Sequence, residues 1–186
     1  MNPTVKLAAT YLTQALKRYA ESDEPARGIL CGRYEKFPVD KKLFRVEINL
    51  ADPLRFVHEA SGLEFSPAIE VYLSDLGSIP PMLRKIKAIG LQLECDGAER
   101  SYLIHDACYL TGKINVRKPF GKWHAMKITR AWADILLHDC LSADATPDGR
   151  PITRSTAMAV YQAVRRSRTS RRAWNRHRAR MEKRDG

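Results

Sequence analysis

The sequence predicts an α+β fold, a small antiparallel β-meander followed by a helix pair, with helical extensions at both ends. Three observations carry that prediction. Leu43-Phe44-Arg45-Val46-Glu47-Ile48-Asn49-Leu50 alternates apolar and polar residues, the pattern of a half-buried strand. Ser101 to Leu110 is an apolar run that leads into His105-Asp106 and on to Tyr109, read as a helix on which His105, Cys108 and Tyr109 share a face. Val5, Leu7, Ala8, Leu12, Leu16 and Tyr19 recur at helical spacing before the first strand.

The bulk properties narrow the class. The 186 residues allow one domain with a real core, and 44% apolar and 28% charged residues are ordinary for a globular chain. No apolar run reaches the roughly 20 residues that span a bilayer. Met1 to Lys6 lacks the basic-then-apolar layout of a signal peptide, so synthesis in a cytoplasm, without secretion by the usual route, is expected. Cys31, Cys95, Cys108 and Cys140 are dispersed without a C-x-x-C pair, which predicts reduced thiols and no structural zinc. The net charge is +11, yet the ten basic residues between Arg165 and Gly186, opposed by Glu182 and Asp185, supply +8 of it. Basic character therefore belongs to the C-terminal end.

Residues 1–24 read as an N-terminal amphipathic helix closed by Glu21-Ser22-Asp23-Glu24-Pro25. Residues 25–150 read as the α+β core domain. Its strands are expected at 28–32, 43–50, 54–58 and 68–73, with turns at Asp52-Pro53 and Ser61-Gly62. Ser74 to Pro81 reads as a loop, and Ser78 as the cap of a short helix through Ile86. A strand at 89–95 and the break at Gly97 precede the His-Asp helix, expected at 99–111 with Gly112 in the left-handed terminating position. Residues 113–123 read as a basic loop. A second helix is expected over 124–141, a turn at 147–151, a C-terminal helix over 151–173 and a basic tail over 174–186.

Four acidic or imidazole side chains stand out against this apolar background: Asp75, His105, Asp106 and Asp134. On a helix His105, Cys108 and Tyr109 share one face, and Asp106 points about 100° away from His105. Each also has a plain structural explanation. Asp75 suits a turn, His105 a satisfied core histidine, and Asp134 a pair with His138 or Arg130 one turn away.

The order Asp75-Leu76-Gly77-Ser78-Ile79-Pro80, then His105-Asp106-Ala107-Cys108-Tyr109, then Ala133-Asp134-Ile135-Leu136 resembles the phage and prophage proteins catalogued as domain of unknown function 1353. The resemblance covers roughly residues 43–141, with 113–123 as an insertion, and implies a bacteriophage or prophage origin. More distantly, the helix carrying H-D-x-C-Y, followed by a helix with an Asp, is similar to phospholipase A(2) enzymes. That likeness implies His105 as the general base, Asp134 as the residue orienting it, Tyr109 as support for Asp134, and Asp106 as a calcium ligand, with Asp75 as another candidate ligand. The glycine-rich calcium loop of those enzymes is absent, and Ala133 stands where they carry a cysteine.

Two functions are expected from these features. One is a metal-assisted hydrolase acting on lipid ester or cell envelope as a phage enters or lyses a cell. The other is a non-catalytic virion component at the neck, tail or inner capsid, in contact with other phage proteins. In either case Arg165, Arg166, Arg168, Arg171, Arg172, Arg176, Arg178 and Arg180 form a phosphate-binding stretch suited to DNA or an anionic membrane surface.

Overall fold

A computed structural model of the chain describes residues 2–21, 27–41, 43–75, 98–144 and 151–182. The loop expected after Asp75, the short helix to Ile86, the strand at 89–95, Gly97, Cys95 and most of the turn at 147–151 lie outside the described residues.

Helix α1 (Pro3–Glu21) opens the chain. Asn2 caps it by accepting the Thr4 N–H at 2.8 Å, and Pro3 occupies the first helical position, where a missing N–H costs nothing. Its stripe buries Ala8, Tyr11, Leu12 and Ala15. Strands β1 (Gly28–Cys31), β2 (Tyr34–Pro38), β3 (Phe44–Ile48), β4 (Arg55–His58), β5 (Glu64–Pro67) and β6 (Val71–Ser74) follow. After them come α2 (Glu99–Thr111), β7 (Lys113–Arg117), β8 (His124–Lys127), α3 (Arg130–Ala143), α4 (Arg154–Arg166) and α5 (Arg168–Glu182).

The fold is α+β with antiparallel sheets, as the alternation predicts, but the strands form two sheets and not one meander. Five strands run in the order β1-β4-β5-β7-β8, and three in the order β2-β3-β6. The chain alternates between the sheets because β1 pairs with β4, not with its neighbour β2. The expected strand at 68–73 begins later, at Val71, as β6, and β5 (Glu64–Pro67), which was not expected, lies just before it in the other sheet.

The basic loop expected at 113–123 is also corrected. Lys113–Arg117 is a strand paired with β5 and β8, burying Ile114 and Val116 while its lysine, asparagine and arginine alternate outward. Consequently the second helix starts at Arg130, not near 124, where Thr129 accepts the Trp132 N–H. Gly112 ends α2 at φ 62°, donating its N–H to Cys108 O at 2.8 Å.

At the C-terminal end the structure replaces a tail with a helix. The helix expected to run to 173 breaks at Ser167, which is extended at φ −63°, ψ 125°. Its hydroxyl accepts the Ser170 N–H at 3.2 Å, so the break is the cap of α5. Helix α5 packs on α2, and its Ala173 and Trp174 contact the main core. That core lies between the sheets and α1, α2 and α3, with Phe56, Phe65, Leu103, Ile104, Ile135 and Leu136 among its sealed side chains. A smaller cluster joins α3 to α4 through Leu137, Leu141, Ala157 and Val160. Among the described residues no helix is long and apolar enough to cross a membrane.

Candidate functional site

Helices α2 and α3 pack together and bring the predicted residues into one cluster. His105 and Tyr109, one turn apart on α2, face Asp134, one turn into α3. Tyr109 Oη donates to Asp134 Oδ1 at 2.7 Å, and His105 Nε2 lies 3.5 Å from the same oxygen. The two rings are 4.3 Å apart at 42°. The structure thus brings His105, Tyr109 and Asp134 together.

Arginines from α3 and α4 complete the surroundings of Asp134. Asp134 is completely buried, and its Oδ2 lies 3.6 Å from both Arg130 Nε and Arg165 Nη1. Arg130 Nε also donates to Tyr109 Oη at 3.1 Å, while its Nη2 donates to the Val164 and Arg165 carbonyls that end α4. One guanidinium thus ties α2, α3 and α4 together. Trp174 of α5 meets Tyr109 edge-on at 5.2 Å, bringing the fourth helix onto the cluster.

On the other side of the imidazole, His105 Nδ1 faces Asp106 Oδ1 at 3.9 Å. Asp106 Oδ2 accepts the Ser74 hydroxyl at 2.6 Å, which connects the cluster to the end of β6. His105 itself is 8% exposed. Asp75 is exposed and follows β6 directly. Cys108 and Cys140 are buried free thiols and Cys31 a half-buried one; burial pushes the Cys140 thiol well up.

Asp134 is matched by two guanidinium groups, which repel a cation, and Asp106 is engaged by Ser74 and faces the imidazole. Among the described residues no three His, Cys, Asp or Glu side chains converge as a metal site. The loop that follows Asp75, the other carboxylate implied as a calcium ligand, lies outside the described residues. The positive charge facing Asp134 comes from Arg130 and Arg165, joined by His105 when its imidazole is protonated.

Arg130 and Arg165 are the residues whose part here was not foreseen as a pair. Arg130 was legible as a neighbour of Asp134 at i−4, but Arg165 arrives from α4 and carries no local signal. A second buried cluster, Tyr11 Oη donating to Asp139 Oδ2 at 2.5 Å with His138 Nδ1 4.0 Å from Asp139 Oδ1, fastens α1 to α3. Comparison of the chain with known protein families, curated proteins and solved structures finds no match.

The His105 environment predicts a pH dependence. Burial disfavours the imidazolium, but the Asp106 and Asp134 carboxylates outweigh it and raise the pKa above its ordinary value. A raised folded-state pKa gives stability that is fully present below the unfolded histidine value, about 6.5, and is lost as pH rises through the folded value. Urea unfolding of the wild type and His105→Gln at stepped pH should show the difference between them shrinking as pH rises. A difference that grows toward alkaline pH would contradict the bridging imidazolium.

Proposed function

We propose that the chain is a non-catalytic component of a phage or prophage assembly that contacts nucleic acid through α5. The observation that carries this reading is the helix itself. Arg168, Arg171, Arg172, Arg176 and Arg178 are exposed on an element whose other side, through Ala173 and Trp174, is held on the core. Arginine forks bind phosphate oxygens bidentately, and a helix already docked pays less ordering entropy on binding than a loose tail. Phage context enters from the resemblance in the three motifs. Synthesis in the host cytoplasm and incorporation into the particle belong to the same reading.

The His/Asp cluster supports a structural role. A histidine acting as general base needs one imidazole nitrogen open to the water it activates. Here both nitrogens face carboxylates, and the ring lies against Tyr109. The network joins α2 to α3 and α4 directly, to α5 through Trp174 on Tyr109, and to β6 through Ser74.

Fluorescence anisotropy with the full chain and a labelled DNA duplex tests the proposal. Affinity should fall linearly on logarithmic axes as salt rises, with a slope of about −0.9 per phosphate contact. Replacing Arg168, Arg172 and Arg176 together by alanine should make that slope shallower by about 3. An unchanged slope, or capture by anionic vesicles in place of DNA, would overturn it. Calcium-dependent hydrolysis of mixed phospholipid vesicles that disappears in His105→Ala would establish the hydrolase instead.

A further inference from the structure

We infer that the tip of the β7–β8 hairpin binds single-stranded nucleic acid by stacking the Phe120 ring on an unpaired base. Phe120 is fully exposed, and its backbone takes a positive φ of 59°. Gly121 donates its N–H to Lys118 O at 2.9 Å, so Pro119 and Phe120 are the two central residues of a tight turn. The second central position, at positive φ, favours glycine or asparagine, and a bulky side chain there strains the backbone. The chain thus holds a large apolar ring in water, in a strained conformation, where it does nothing for the core. Strain of this kind persists where a site serves a partner.

The surroundings set the chemistry of that partner. Residues 113–127 hold Lys113, Arg117, Lys118, Lys122 and Lys127 and no carboxylate. Exposed Lys118 and Lys122 stand two residues on either side of Phe120. The partner is therefore a polyanion that offers an apolar face between its charges. Magnitudes choose among the polyanions. A bilayer needs more apolar surface, since even one acyl chain holds a protein only marginally, and Phe120 is the single large exposed apolar side chain of this hairpin. A duplex must be unstacked to admit the ring, which costs about as much as one ring returns. An unpaired base is already open. Stacking it on an aromatic ring strengthens binding roughly five- to a hundred-fold, while the lysines meet the adjoining phosphates.

The tip stands on a firm base. The Arg117 guanidinium donates to Glu64 Oε2 at 2.7 and 2.8 Å and lies over the Trp123 ring at 4.2 Å. Pro119 rests against the turn between β4 and β5, where a Cβ on Gly62 would lie 3.0 Å from Pro119 Cγ. A ring already held outward by such a turn loses little freedom on stacking. This contact is separate from α5 and stands without it.

Anisotropy with the full chain, labelled oligo(dT) and an abasic oligomer of equal length tests the inference. Phe120→Ala should weaken binding to oligo(dT) about ten-fold and leave binding to the abasic oligomer unchanged, and Phe120→Trp should restore it. The same comparison on oligo(rU) tells whether the strand is DNA or RNA, and Phe120 dependence on neither overturns the inference. Phe120→Gly should lose the same affinity while its urea midpoint holds or rises, because glycine relieves the positive φ. A midpoint below the wild type would mean that the ring serves the fold, against the inference. An equal loss on a duplex, or a Phe120 dependence confined to phosphatidylglycerol vesicles, would also overturn it. Alanine at Arg168, Arg172 and Arg176 keeps the two contacts apart: the ten-fold effect of Phe120→Ala should persist in that background. Its disappearance there with the wild-type salt dependence intact would overturn the hairpin contact alone.

Discussion

Asp134→Ala is expected to lower folding stability by about 3–5 kcal/mol. The carboxylate is completely buried, accepts from Tyr109 at 2.7 Å, and lies within 3.6 Å of His105, Arg130 and Arg165. Removing it takes away the negative centre around which the two guanidinium groups and the imidazole are arranged. Arg130 is 14% exposed and cannot turn fully to water without leaving the α4 carbonyls that it caps. Removing one partner of a buried charged group costs more than the pair itself contributes, because the remaining charge keeps its desolvation penalty. Against a total of about 5–15 kcal/mol for a folded domain, the loss would be a large fraction. Asp134→Asn should cost less, since an amide oxygen still accepts from Tyr109. Urea unfolding of both variants provides the measurement. A loss under about 1 kcal/mol for the alanine variant would mean that the cluster does not hold the four helices together.

The parts of this arrangement that the sequence makes legible are those set by local spacing. His105 and Tyr109 share a face because they are one helical turn apart, and α1 follows its apolar stripe. What was not legible depends on contacts between distant segments. Basic residues, with Pro119 and Gly121, made residues 113–123 look like a loop, although Ile114 and Val116 alternate as a strand requires. The pairing with β5 decides the matter, and pairing is not a local property. Residues 124–127 were absorbed into the following helix for a similar reason, since their strand character comes from β7, although Thr129 already marked the cap. Arg165 looked like one more cation of a basic end, yet the fold sends it toward Asp134. Trp174 looked like an aromatic within a tail, and is the seat of α5. In both cases the missing information was where α4 and α5 return to the core.

The division into two sheets gives a second large expectation, at Gly32. The chain leaves the five-stranded sheet at Cys31 and joins the three-stranded sheet at Tyr34, so the change of sheet takes place over Gly32 and Arg33. Gly32 sits at φ +94°, and a Cβ there would lie 2.1 Å from Pro53 O and 2.5 Å from Pro53 C. Those atoms are backbone and are held in place. Arg33 donates its N–H to Asp52 O at 2.8 Å, and the next residue, Leu54, is fully buried. Gly32→Ala therefore combines backbone strain of about 1–3 kcal/mol with overpacking of a similar size. Gly112 separates the two effects. It also has positive φ, 62°, but a Cβ there meets nothing within 4 Å. Gly112→Ala should carry strain alone, about 1–2 kcal/mol. Parallel urea unfolding should show Gly32→Ala losing at least twice as much as Gly112→Ala. Equal losses would mean that the crossing between the sheets gives way at Pro53 without resistance, and that the two sheets are joined less firmly than the contacts at Gly32 and Arg33 require.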